Sequence, residues 1–378
     1  MVHSWETVNP VASLIERKAT LTPGPRPTNL YRQFPKKAAG YLKKLLLTLL
    51  KVGISVGIIA YLVIDAAQDD AFTNLCDQPK QWGFLLAALG VCMAAVVVTL
   101  VRWCYLVRAL ELPFPMKDAL RIGFLGFLFN LAPMGIVGGD LLKAVMFARE
   151  HPGNRAKSVA AVAADRLIGL YMLFVVASVA ILLTGFWQLP VPEIRFICKI
   201  TWILTAVGAA GIVVALTPAL TDGRISQALG GLPRVGPTIT SLLDAVRLYR
   251  RKPHVILLAA TMSVGVHSLF AVGVYLVARG LPGYVPTLGT HFVIMPLSSV
   301  AGILPLPMGP FELVFESLYT HLPLSAECVI SKGQGLIIAL AYRVITVLIA
   351  AVGFGYYLVA RREVAEAMQE VKQEQEYI

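Results

Sequence analysis

Four charged side chains lie where the chain is otherwise apolar. Asp165 and Arg166 fall inside the run Ala156–Leu183, Arg343 sits about nine residues into the run 334–359, and Glu312 interrupts a run apolar from Val300 to Phe315. A charge at that depth in hydrocarbon is costly unless it is paired or faces water, so each is a candidate for function. Two motifs accompany them. The first is Asn130-Leu-Ala-Pro-Met-Gly-Ile-Val-Gly-Gly-Asp140, with Lys143 one turn on. Its Pro133 removes a backbone donor, and Gly135, Gly138 and Gly139 let the chain turn tightly. The second is Leu304-Pro-Leu-Pro-Met-Gly-Pro-Phe-Glu312, with Pro305, Pro307, Gly309 and Pro310 as its breakers. Unwound backbone beside a helix N-terminus suits phosphate or another anion, and the arginines suit it through a planar fork. Asp140, Asp165 and Glu312 would bind a cationic headgroup, relay protons or orient the arginines.

Plainer readings stand beside these. The first motif could be a turn between short helices, and Glu312 a headgroup-level acid. Asp165 and Arg166 are adjacent on a helix, point in different directions and are not expected to pair with each other. They could bond neighbouring helices as readily as a substrate. For Arg343, partnership with Glu312 or Asp140 is as open as substrate contact. Lys51 lies near the end of its span, where it would snorkel to the interface.

The elements that must position these residues are membrane helices. Of 378 residues, 57% are hydrophobic and only 15% charged. Soluble domains are roughly 45–50% apolar and about 25% charged, so an ordinary soluble enzyme is excluded. Ten-residue alternating blocks are missing, which argues against an outer-membrane barrel. The net charge of +11 lies between apolar runs. It reads as topology signal and lipid contact rather than nucleic-acid binding. Cys76, Cys92, Cys104, Cys198 and Cys328 are scattered, with no disulfide framework or zinc pattern expected. Walker, GxGxxG, HExxH and Ser/His/Asp signatures do not occur. No cofactor, no metal and no enzymatic activity of the chain itself are expected.

Apolar runs at about 45–64, 82–107, 157–184, 198–217, 254–277 and 334–359 predict six spanning helices. Two further stretches, roughly 119–148 and 286–320, are interrupted at the two motifs. Lys and Arg placement puts residues 1–44, which carry eight basic residues, on the cytoplasmic side. Residues 102–121, 143–157, 218–253 and the tail 360–378 follow them there. Residues 65–81, 185–199, 279–291 and 321–333 read as outside. Each interrupted stretch then has both ends on one face and dips in as a re-entrant hairpin, the two from opposite faces. Irregular backbone at that depth requires a surrounding of protein or water. The expected fold is an all-α polytopic integral membrane protein: about six spanning helices plus two re-entrant broken hairpins. Its halves, about 45–184 and 198–359, form an inverted repeat. Each reads span, span, broken hairpin, span, and Pro-Met-Gly recurs at 133–135 and 307–309. Such repeats with matched interruptions point to a transporter's midplane site. The first 44 residues form a partly disordered segment rather than a signal peptide. Residues 238–252 form a basic amphipathic stretch, with Leu242, Val246 and Tyr249 on one face. It is either a surface helix on anionic lipid or a plain linker.

Taken together, Asn130, Pro133, Gly138-Gly139-Asp140, Lys143 and Asp165-Arg166 resemble the lysylphosphatidylglycerol synthase transmembrane-region family. The segment Pro305–Glu312 resembles that family's Pro- and Gly-rich second motif, and Arg343 matches its later arginine. The resemblance covers about residues 40–360. Lys143 stands where arginine is common in that family, and Pro310 where a small residue is usual. The resemblance implies a multi-pass inner-membrane protein, both termini cytoplasmic, that moves lipids or lipid-linked headgroups between leaflets. Its candidate substrate-binding residues are Asn130, Gly138, Gly139, Asp140, Lys143, Asp165, Arg166, Pro307, Gly309, Glu312 and Arg343. Expected partners are membrane lipids with anionic or phosphate headgroups, with a homo-oligomer or a separate lipid-modifying enzyme also open. The chain ends soon after its last span, so a fused synthase domain is not expected. The alternative is a membrane-embedded enzyme or accessory subunit of lipid modification or glycosylation, in which the carboxylates would supply a base or a metal ligand.

Overall fold

The computed structural model describes residues 30–67, 71–131, 138–151, 153–218, 236–302, 304, 306, 308–322 and 332–377. Most of the N-terminal segment, Pro133 and Gly135 of the first motif, Pro305 and Pro307 of the second, and Cys328 lie outside them. The described residues are helical, without strands. The chain divides into two compact units, 1–50 and 51–378. Of the first, the described part is the start of helix α1 (Leu30–Ala66).

Within the second unit, the short helix α2 (Ala71–Asp77) leads to α3 (Trp82–Ala109). The helices α4 (Met116–Leu131) and α5 (Gly139–Glu150) flank the first motif, and α6 (Arg155–Thr184) follows. Then come α7 (Pro192–Leu216), α8 (Gly236–Arg250) and α9 (Pro253–Gly280). Helices α10 (Leu288–Ala301) and α11 (Pro310–Thr320) flank the second motif, before α12 (Gln334–Val359) and α13 (Arg361–Tyr377). Six of these are long and apolar enough to cross a membrane: Leu49–Ala66, Trp82–Ala109, Lys157–Thr184, Pro192–Leu216, Pro253–Gly280 and Gln334–Val359. They match the six uninterrupted runs of the sequence. Their outer faces carry exposed Leu86, Leu167, Leu183, Val213, Leu257 and Val359, apolar surface of the kind that marks contact with lipid or a partner protein.

Local chemistry sets the helix ends. Pro192, Pro253 and Pro310 stand in the first turns of α7, α9 and α11, where the missing N–H costs nothing. Thr287 caps α10 by accepting from the Thr290 N–H at 3.3 Å. Gly185 closes α6 with φ of 69°, a left-handed conformation that favours glycine.

Packing is reciprocal between the halves. Helix α3 packs along α9; α4 packs on α12, and α10 on α6. Helix α4 also packs on α5, and α10 on α11. One core cluster gathers Phe311, Phe315, Tyr319, Val274, Val293 and Ile349. Another gathers Trp103, Phe114, Phe147, Leu142 and Met146 under α5. The Trp103, Phe114 and Phe147 rings meet edge to face with centroids 4.8–6.0 Å apart, geometry that aromatic quadrupoles favour.

Two segments pack in ways the sequence leaves open. Residues 361–377, expected as a tail, form α13, which docks on α5. Val364 and Ala367 are buried. Arg121 bridges Glu150 and Glu363, and Arg149 reaches Glu366 at 2.6 Å. Burial pushes the Glu150 carboxyl up, against the pull of Arg121. The stretch 238–252 is helical as α8, but its Ala245 and Tyr249 are buried against protein. The Tyr249 hydroxyl donates to the Leu106 carbonyl at 3.0 Å. Tyr249 of that face is therefore turned to protein rather than to lipid.

Candidate functional site

The first motif is built by a close helix crossing. A Cβ on Gly139 would fall 1.7 Å from the Gly126 carbonyl oxygen, so glycine lets α5 meet α4 backbone to backbone. The Gly139 N–H, one of the first donors of α5 and without an intrahelical partner, donates to Asn130 Oδ1 at 2.7 Å. Asn130 thus ties the end of α4 to the start of α5. Gly138 precedes α5 in extended backbone (φ −65°, ψ 151°). One turn into the site, Asp140 Oδ1 accepts from the Arg166 guanidinium of α6. Lys143 Nζ stands 3.8 Å from that oxygen and 5.7 Å above the Trp103 ring, close enough for cation–π attraction. Lys143 is buried, whereas the Arg166 side chain is 50% and that of Asp140 36% exposed.

Asp165 does not pair with its neighbour, as helix geometry requires. Its Oδ1 accepts from Arg102 Nε at 2.8 Å, and both side chains are buried. Arg102 also donates to the Ser263 hydroxyl at 2.6 Å and the Asp165 carbonyl at 3.2 Å. This joins α3, α6 and α9. His267 Nε2 meets the Gly169 carbonyl at 2.9 Å. A carbonyl only accepts, so Nε2 carries the proton.

The second motif is closed more tightly. Gly309 adopts φ of 110° before α11, a conformation that strains other residues. Its N–H donates to Glu312 Oε2 at 2.8 Å. The other carboxylate oxygen accepts from Arg343 Nε and Nη2 at 3.0 and 2.6 Å. Glu312 is fully buried, and the Arg343 side chain is 29% exposed.

The two motifs meet. Asn130, Asp140 and Arg166 line the same cavity as Met308, Glu312 and Arg343, with a volume of about 570 Å³. A neighbouring cavity of about 450 Å³ holds Arg102, Lys143, Asp165 and His267. Phe127, Asn130, Arg166 and Ser299 form walls of both. Among the sequence candidates, Gly138, Gly139 and Gly309 shape the approach without lining either cavity. Pro307 lies outside the described residues.

Arg102, the first residue of the stretch 102–121 that reads as cytoplasmic, is buried within α3. Its place inside the run 82–107 was the signal. His267 carried only its solitary position in the run 254–277. Glu316 went unnoticed one turn after Glu312 on α11. It is buried, and its two oxygens accept from the Gly333 and Leu336 N–H groups at 2.7 and 2.6 Å. It caps α12, the helix that carries Arg343.

Six apolar spans enclosing charged pairs define a multi-pass, all-helical membrane protein with a polar cavity inside the bundle. The chain belongs to the family described as lysylphosphatidylglycerol synthase TM region, which matches residues 48–353. That membership places it among membrane proteins related to lipid modification or translocation. No curated protein and no solved structure matches it.

Proposed function

We propose that this protein moves a phospholipid or a lipid-linked headgroup across the inner membrane, both termini cytoplasmic, and does no bond-making chemistry itself. The observation that carries this is the shared cavity, where Asp140 and Arg166 of one motif face Glu312 and Arg343 of the other. A polar cavity between spans can hold a headgroup while acyl chains stay in lipid. Reciprocal packing of α4 on α12 and α10 on α6 supports the repeat reading. In it, α4–α5 and α10–α11 are re-entrant hairpins from opposite faces, and one repeat rocks against the other. Pairing of each cavity carboxylate with an arginine supports the translocation reading, in which a headgroup phosphate exchanges with a carboxylate for the same guanidinium.

Liposome reconstitution tests this. The full chain is reconstituted with anionic phospholipids, aminoacylated lipid and polyprenyl phosphates in turn. Headgroup exposure to a membrane-impermeant reagent is followed over time. Protein-dependent exposure of one class, lost in Arg166→Ala and Glu312→Gln variants that still fold, is the expected result. No exposure of any lipid, with or without a proton gradient, would shift the assignment to an enzyme or accessory subunit.

A further inference from the structure

Among the described residues, the charges around the two cavities do not balance. Among the described residues lining them, the cations are Arg102, Lys143, Arg166 and Arg343, and the anions Asp140, Asp165 and Glu312. The residues of the two motifs outside the description (132–137, 303, 305 and 307) are all uncharged types. Three acid–arginine pairs account for Asp165 with Arg102, Asp140 with Arg166, and Glu312 with Arg343. Lys143 is left over. Its nearest carboxylate, at 3.8 Å, is the oxygen Arg166 already holds.

Lys143 is also held where a cation needs company. It is 6% exposed and stands over the Trp103 ring, whose face attracts positive charge but does not neutralise it. A buried charge without a full counter-ion is unfavourable, and an entering anion would supply one. A cationic headgroup would find each cavity carboxylate already paired with an arginine, Asp140 alone keeping an oxygen open to the cavity. A zwitterion would bring a second positive charge with no unpaired acid to meet it.

We infer that the cavity selects a lipid whose headgroup bears one net negative charge, a phosphodiester without a compensating amine, and that Lys143 sets this preference. Glycerophospholipids with neutral headgroups and polyprenyl-phosphate-linked sugars both fit that class. The inference rests on the translocation reading for its setting, but binding alone tests it.

The experiment is calorimetric titration of the detergent-solubilised full chain. Probes are dioctanoyl phosphatidylglycerol (net charge −1), dioctanoyl phosphatidylcholine (zwitterionic), lysyl-phosphatidylglycerol (cationic), glycerophosphoglycerol (the phosphodiester without chains) and inorganic phosphate. The anionic lipid should bind at least tenfold tighter than either other lipid. Glycerophosphoglycerol and phosphate should bind far more weakly than the lipid. In Lys143→Gln the preference should fall to within about twofold, and Lys143→Arg should keep it. Wild-type protein alone decides the first half, so a Lys143→Gln chain that fails to fold does not shield the proposal. Equal affinity for zwitterionic or cationic lipid overturns it, as does a preference that survives in folded Lys143→Gln. Phosphate binding as tightly as the lipid overturns the assignment to a lipid. Charge-selective binding with no movement in liposomes would sink the translocation reading and leave this one standing. Equal binding and equal movement of anionic and zwitterionic lipid would do the reverse.

Discussion

Breaking the Arg102–Asp165 pair tests whether the buried network is structural in the way its geometry implies. Both side chains are 5% exposed, and Nε and Oδ1 are 2.8 Å apart. Removing one partner of a buried pair leaves an uncompensated charge and costs about 3–5 kcal/mol, whereas replacing both by apolar groups is often close to neutral. After Asp165→Leu, Arg102 keeps the Ser263 hydroxyl and the Asp165 carbonyl, which sets the cost toward the lower end. Arg102→Met strands the carboxylate without such relief. Each single variant should therefore lose ~3–5 kcal/mol, and the double variant should return to within ~1–2 kcal/mol of the parent, a coupling of at least ~4 kcal/mol. Unfolding in mixed dodecylmaltoside–SDS micelles, followed by far-UV circular dichroism, gives all four values. Additive losses, with the double variant the least stable, would refute the reasoning and mean that the pair does not hold α3 to α6.

Exposure separates the first-motif pair from that one. Asp140→Asn should cost under ~1 kcal/mol, as partly exposed pairs do, while lowering lipid movement in liposomes severalfold; a large fall in unfolding midpoint would contradict this. Gly139→Ala should lose ~1–3 kcal/mol or more through overpacking, because its Cβ would meet the Gly126 carbonyl. Gly138→Ala, whose nearest neighbour is Asn130 Oδ1 at 3.8 Å, should be nearly silent in the same unfolding assay. Glu316→Gln keeps one acceptor oxygen and should cost ~1–3 kcal/mol, with the Gly333 and Leu336 amides exchanging hydrogen faster by mass spectrometry; unchanged exchange would dismiss the capping role. Arg149→Glu should set like charges against Glu363, Glu366 and Glu370 and speed tryptic cleavage at Arg361-Arg362, as high salt should to a smaller degree.

Backbone-encoded features were legible in the sequence, and partner choice was not. Pro and Gly dictate where a helix must stop, so the interruptions between 119 and 148 and between 286 and 320 stood out. They separate α4 from α5 and α10 from α11. Helix periodicity likewise foretold that Asp165 and Arg166 would look for different partners. Which partners they found depends on how α3, α5 and α6 pack, and no local pattern carries that. Arg102 reads with the cytoplasmic stretch 102–121 because it stands near the end of its run, where snorkelling is the default. Glu316 gave no signal because its partners are backbone N–H groups of another helix. Residues 361–377 are too polar to suggest docking. Their burial rests on Val364 and Ala367 and on charges from Arg121 and Arg149, far away in sequence.

The two motifs share a plan but not an electrostatic state, and the difference bears on where a headgroup would bind first. Glu312 is fully buried and fixed by three hydrogen bonds, two from Arg343 and one from the Gly309 N–H. A phosphate drawing Arg343 away would strand a buried carboxylate, at a cost of about 3–5 kcal/mol. Asp140 is partly open, and both Arg166 and Lys143 approach the same oxygen. A phosphate joining Arg166 and Lys143 would leave that carboxylate facing the cavity, where displacement costs under about 1 kcal/mol. On the translocation proposal, engagement would therefore begin at the first motif, with the second as the rigid wall against which it is read. Glu312→Gln, by freeing Arg343, should then strengthen binding of dioctanoyl phosphatidylglycerol even as it lowers stability. Asp140→Asn should change affinity with little change in stability. If Glu312→Gln weakened binding as much as Arg166→Ala does, both motifs would be contact sites of equal rank and the asymmetry argued from burial would be wrong.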